Sequence, residues 1–375
     1  MNKSLSMEPS KFSYQFYQTT ATAWDAMYEA IRVAEKSIYW EVYIFVDDFV
    51  GNKFLQLLSE KARAGVEVKI IIDAYGSSKF SEAAEKYFKE AGVDFKKYNR
   101  LVYPQFKFNS WLTRILHRNH RKVLIVDERV AFLGGVNIAD RFNKWDDIFI
   151  KISGPITWPL LRGFAKSYVS AGGERKAVRH LLHPMIVTTL PTWRDKFKFI
   201  LHSPTRYQIP KTKRLYLQAL QMAKESVNLL TPYFVPDKQF LKAVAIARRR
   251  GVKVNIFLPL RPDHKLMELI ARAYYSLTAN LGANLYFLPE MHHGKAMTVD
   301  NTLGMVGSIN ITPRSFTKQE ESAVSFSDTA MVEDLNLLFN NLKIKAEPFD
   351  AKRWQRRSWW SRFREWVAKH FADFV

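Results

Sequence analysis

The chain of 375 residues contains no cysteine, which excludes disulfides and thiolate metal sites and fits a reducing compartment. It also lacks any uncharged apolar run near the roughly 18 residues that a spanning helix needs. The opening stretch "MNKSLSMEPSKFSYQ" has no apolar core of the kind a signal peptide carries. Any meeting with a membrane is therefore expected from the side. Negative charge is scarce too: 36 acidic residues stand against 57 Lys and Arg, a formal net charge of +21. Such a chain seeks a polyanion, whether nucleic acid, an anionic membrane or a phosphorylated substrate. Aromatics make up 14% of the chain and several sit among the basic residues, which argues against a role in solubility alone.

What is present is duplicated. A hydrophobic content of 47% is enough for a full core, and the length suggests two domains at about 150 residues each. "AEKSIYWEVYIFVDD" (34–48) resembles "AKESVNLLTPYFVPD" (223–237), and "KARAGVEVKIIID" (61–73) resembles "IARRRGVKVNIFLP" (246–259). Each reads as a helix end running into a buried strand, so the chain is expected to form two α/β units with largely buried sheets. The expected divisions are residues 1–190, 191–345 and a basic aromatic tail over 346–375.

The repeat carries a polar frame. "HRKVLIVDERVAFLGGVN" places His120, Lys122, Asp127, Gly134 and Asn137, and "HGKAMTVDNTLGMVGSIN" places His293, Lys295, Asp300, Gly307 and Asn310 at the same spacing. His and Lys two apart would share a face of a strand. The aspartates fall at two-residue hairpin turns, and a Gly beyond can bring each Asn back toward its His. Two facing copies would offer two Lys and two Asn to one phosphate, with a His on each side. A phosphodiester requires such a set: a nucleophile, an acid for the leaving oxygen, and positive charge for the oxyanion. No metal and no cofactor is called for. Of nine His, only His120 and His293 have Lys two residues later, so chance is a poor account of the match. Asp127 and Asp300 complete the frame as catalytic candidates, although an Asp at a turn is more often structural.

These residues resemble the HxKxxxxD signature of the phospholipase D superfamily, with its trailing G-[GS]-x-N. Within it the chain is most similar to bacterial cardiolipin synthases of the short type without N-terminal spanning helices. "EVYIFVDDFVG", "WDDIFIKISGP", "TPYFVPD", "RAYY" around Arg272 and "GSINITPRS" carry that likeness. The resemblance implies two α/β/α sandwich domains in pseudo-twofold arrangement and a ping-pong reaction at one site. It implies His120 as nucleophile and His293 as acid and base. It also implies substrate contacts from Asn137, Asn310 and Ser308, and an acidic residue after each frame, Asp147 and Glu321, that orients its His. Gly135 stands where Ser308 stands in the second copy, so a hydroxyl is available on one side only. The implied function is a phosphatidyltransferase forming cardiolipin, with phosphatidylglycerol and phosphatidylethanolamine as candidate substrates, no nucleic acid partner, and a peripheral place on the cytoplasmic side of the cell membrane. A phospholipase D that hydrolyses its substrate is the alternative, and a nuclease the third choice.

Two aromatic and basic segments lie outside the repeat. In "KRWQRRSWWSRFREWVAKHFADFV", bulky residues at helical spacing include Trp359, Phe363, Trp366, His370 and Phe374, with Trp360 and Phe371 beside them. This is expected to be an amphipathic helix on an anionic bilayer, the competing reading being a helix with its aromatics in the core. Residues 99–119 are expected to form a lipid-facing entrance.

Overall fold

The computed structural model describes residues 12–99, 117–182, 196–204 and 210–372. Nearly all of the segment 99–119, the stretch around residue 190 and Phe374 lie outside them. Two sheets repeat one order. The first has seven strands, in spatial order Ser13–Thr19, Asp146–Ser153, Val130–Gly134, Val123–Val126, Ser37–Val42, Glu67–Asp73 and Asp94–Tyr98. In the second, of nine strands, the seven that match run Phe197–His202, Gln319–Phe326, Leu303–Gly307, Ala296–Val299, Ser226–Leu230, Lys253–Pro259 and Asn284–Leu288, with Arg118–Asn119 and Glu347–Pro348 added. In both runs of seven, the last three strands are parallel and the others antiparallel.

The inner parallel strands are largely apolar because both of their faces are covered. Ser37–Val42 is buried at every position, and in Glu67–Asp73 only Glu67 is not fully buried. Crossover helices Phe49–Arg63 and Glu82–Glu90 shield one face, each begun by a side-chain cap, Asp48 to the Gly51 amide and Ser81 to the Ala84 amide. The other face enters a core shared by the two halves. Tyr39, Ile71, Leu133 and Ile150 of the first sheet join Phe257, Leu288, Val306 and Val324 of the second.

The chain also crosses between the sheets. Arg118–Asn119, from the first half, pairs in parallel with Gln319 and Glu320 at the start of a second-half strand. In return Asp146 of the first half bridges to His292 of the second. The HxK segments are thus extended links entering their hairpins, whose first strands begin at Val123 and Ala296.

Two expectations need correction. The hairpin turns hold three residues, since Val126 pairs with Val130 and Val299 with Leu303. And Asp127 and Asp300 are not brought to the site. Each sits at φ 50°, a left-handed position that Asp tolerates. The Asp127 carboxylate accepts the amides of Glu35, Lys36 and Ser37 at 2.7–3.2 Å. Asp300 accepts those of Lys224, Glu225 and Ser226 at 2.8–3.0 Å. They clamp the start of a central strand to the hairpin, a structural task in place of the catalytic one.

The tail forms a helix, Trp359–Lys369, against the helix Lys265–Asn280. Its docked face is small or acidic. Ala368 and Ala372 are buried, and Glu365 pairs with Arg272 at 3.0 Å and Arg357 at 2.8 Å. Trp359, Trp360, Phe363, Trp366 and Phe371 are 47–64% exposed. The helix therefore docks, as the competing reading held, but with its aromatics outward. No helix of the described residues is long and apolar enough to cross a membrane.

Candidate active site

The two frames meet at one cavity of about 570 Å³, lined by His120, Asn137, His293 and Asn310 among others. Both histidines are only 6% exposed. Each is fixed by the opposite half. The His120 amide donates to Glu320 O at 2.9 Å, and the His293 amide to Asp146 O at 2.7 Å. The next residue in each strand supplies a carboxylate: His120 Nδ1 lies 3.1 Å from Glu321 Oε2, and His293 Nδ1 lies 3.3 Å from Asp147 Oδ2. So Asp147 and Glu321 do orient a histidine, but each serves the one from the other frame. When the carboxylate is ionised it can only accept, which puts the hydrogen on Nδ1 and leaves Nε2 its lone pair.

The lysines are fully buried, and each folds back to donate to its own histidine's carbonyl, Lys122 Nζ to His120 O at 2.8 Å and Lys295 Nζ to His293 O. Asn137 Oδ1 accepts the Ile44 amide at 3.1 Å, whereas Asn310 Oδ1 is buried without a protein partner. Ser308 does not itself line the cavity; its hydroxyl bonds to Glu321 Oε2, and Ser315 Oγ donates to Oε1 at 2.5 Å. The Glu321 carboxylate thus has three side-chain partners. Asp147 Oδ1 has none. Phe142 stands where Ser315 stands in the other frame and offers no hydroxyl, and at Gly135, the counterpart of Ser308, a Cβ would stand 2.5 Å from Asp147 Oδ2. No serine fits there while Asp147 stays in place.

Other side chains at the cavity escaped the sequence reading. Tyr43 lies edge-on to His120 at 4.8 Å between ring centres, and Tyr233 edge-on to His293 at 6.3 Å. Trp145 tilts over His293 at 5.5 Å. Arg141 and Arg314 both line the cavity, in "NIADR" and "NITPR". Comparing the halves beyond the frame was the signal that could have found the arginines. Beneath His120, buried Arg121 donates to Glu321 O at 3.3 Å and His202 O at 2.9 Å and lies 3.4 Å from Glu320. Its counterpart in the second half is Gly294, so the pseudo-symmetry is broken there.

Burial governs the ionisation of the site. It holds His120 and His293 well below the usual imidazole range, with Lys122 and Lys295 adding to the effect. It lowers Lys122 strongly and Lys295 to about 7, and raises Asp147 to about 6 and Glu321 to about 7. A phosphate anion entering this cavity opposes that pressure on the cations, since negative charge favours protonated Lys and His. Neutral histidine for attack and protonated histidine for the leaving group are thus both within reach of one site.

Comparison with known proteins gives this geometry a lineage. The family described as cardiolipin synthase, PLD-like domain, matches residues 27–162 and 216–343, most of the chain and both halves. The chain belongs to this family. It is 34% identical over 369 residues to a cardiolipin synthase of Clostridium perfringens, covering 94% of this chain and 75% of that protein. It is 30% identical to a cardiolipin synthase of Halalkalibacterium halodurans, covering 88% and 66%. The fold is shared with the phosphatidylserine synthase of Haemophilus influenzae, which superposes with a TM-score of 0.73 over 96% of this chain and 92% of that one, at 14% identity.

Proposed function

We propose that the protein is a cardiolipin synthase-like phosphatidyltransferase working through a phosphohistidine. The observation that carries this is the pair of buried histidines on one cavity, each oriented by the other half's carboxylate. His120 Nε2 attacks the phosphorus of a phosphatidyl donor, phosphatidylglycerol in the first instance. The P–O bond to the headgroup alcohol breaks, and His293 gives that oxygen its proton. His293 then takes the proton of an incoming headgroup hydroxyl as its oxygen displaces His120 and a new P–O bond forms. Lys122, Lys295, Asn137 and Asn310 hold the phosphoryl oxygens, and Asp147 and Glu321 keep each Nδ1–H in place. Phosphatidylethanolamine is a second candidate substrate. The exposed aromatic face of the tail rests on an anionic leaflet, from the cytoplasmic side, with Arg362, Arg364 and Lys369 among its phosphates.

The test uses purified protein and labelled phosphatidylglycerol. Acid-quenched protein should carry phosphatidyl label on His120, cardiolipin should accumulate, and His120→Ala and His293→Ala should each abolish it with the fold intact. Label on neither histidine, or turnover near normal in either variant, would refute the mechanism. Phosphatidic acid as the sole product would favour the hydrolase.

A further inference from the structure

We propose that Arg141 is a binding residue for the phosphate of the acceptor phospholipid, and so biases the site toward transfer over hydrolysis. This rests on the phosphatidyltransferase reading above. The first observation is one of charge. The buried centre is balanced, with Lys122 and Lys295 against Asp147 and Glu321. The rest of the cavity wall is not: it carries Lys79, Arg141, Lys265 and Arg314 against Asp263 alone. The centre suffices for one phosphodiester. The surplus outside it suits a second anion, and joining two phospholipids brings two phosphates to one site.

The second observation places Arg141 among the cationic groups. Its guanidinium lies over the Phe142 ring at 4.6 Å, and among the described residues it has no ion pair. Phe142 is buried and packs edge-on against Trp145 at 4.6 Å, and Trp145 tilts over His293. A run of aromatic contacts therefore leads from Arg141 to the histidine that handles the alcohol. Arg314 acts on His120, on the nucleophile's side. When the P–N bond to His120 breaks and the P–O bond to the acceptor forms, the acceptor's proton passes to His293. The acceptor's own phosphate then follows a few bonds beyond that oxygen. Water has no such phosphate, and neither does free glycerol. A guanidinium on the wall of the cavity that holds His293 lowers the barrier for the phospholipid acceptor and does nothing for those two.

Arg141→Gln in detergent-dispersed phosphatidylglycerol tests this with three acceptors that share one alcohol: phosphatidylglycerol itself, labelled glycerophosphoglycerol and labelled glycerol. The lipid-free diester separates recognition of phosphate from recognition of a lipid surface. Capture of the two phosphate-bearing acceptors should fall by at least about tenfold in kcat/KM, while capture of glycerol falls less than about threefold. The ratio of phosphatidic acid to cardiolipin should rise, and Arg141→Lys should recover part of the loss. Equal losses for all acceptors, or none, overturn the proposal. A loss with phosphatidylglycerol but not with glycerophosphoglycerol overturns it as well, since Arg141 would then be reading the lipid surface. Wild-type protein that transfers to no acceptor overturns the phosphatidyltransferase reading, and this proposal with it.

Discussion

Replacing Glu321 by Gln should cost the protein its turnover and make it more stable. Burial pushes this carboxyl from an ordinary 4.5 to about 7, against the opposing pull of Lys122, Ser308, Ser315 and Lys295. At about 1.36 kcal/mol per pH decade, the ionised form costs the fold about 3 kcal/mol relative to the unfolded chain. Between pH 4.5 and about 7 the folded protein keeps a proton that the unfolded chain has released, so this group's contribution to stability declines as pH rises through that window and is level above it. Gln carries no such charge. Its advantage should be under about 1 kcal/mol at pH 5 and near 3 kcal/mol at pH 8, a melting point higher by a few degrees. The kinetic effect runs the other way. An amide NH2 facing His120 Nδ1 donates where the carboxylate accepted, so the ring hydrogen moves to Nε2 and the attacking lone pair is lost. A wrong tautomer of this kind costs about 10³- to 10⁴-fold in kcat. Thermal melts at pH 5 and 8 beside turnover in mixed micelles would check both halves. Near-normal turnover in Glu321→Gln would refute the tautomer argument, and a lower melting point at pH 8 would refute the burial argument.

Gly135→Ser puts a Cβ 2.5 Å from one Asp147 oxygen and 2.7 Å from the other, so the carboxylate must shift. Turnover should fall by about 10²-fold, since displacements near 1 Å at a catalytic group have that effect, and steady-state kinetics would show it. Ser308→Ala removes a hydrogen bond to Glu321 without creating an overlap and should lose less. In the tail, changing Trp359, Trp360 and Trp366 together to Ser should abolish co-sedimentation with anionic vesicles while leaving the melting point unchanged, because all three are exposed. Deleting residues 352–375 should also lower the melting point, because Ala368 and Glu365 are lost from the docked face; the wild-type attachment should weaken as salt rises.

The sequence disclosed whatever repeats at short range. The buried runs "SIYWEV" and "VKIII" have strand length and apolar faces, and the His–Lys–Asn frame recurs at fixed spacing, so two α/β units around a phosphate site were legible. The crossed partnership of His120 with Glu321 was not, since it spans 201 positions and depends on how two sheets pack. Asp127 and Asp300 belong to the frame as firmly as the histidines, yet spacing alone cannot say that their carboxylates meet backbone amides and not substrate. The tail's helical period was visible, but which face docks was decided by Glu365 finding Arg272, a contact between distant segments.

The exchange of carboxylates between the halves has a consequence for inheritance. Were the halves separate copies of one polypeptide, every residue would appear at both ends of the cavity, and any change at one histidine would be forced on the other. Covalent fusion lifts that constraint while the crossed contacts keep the pair inseparable, since neither half holds both members of a histidine–carboxylate dyad. Mutation could then dress one end with serine, glutamate and a buried arginine and the other with glycine, aspartate and tryptophan. A two-step reaction with unequal steps needs such unlike ends, and a single reading frame lets them diverge.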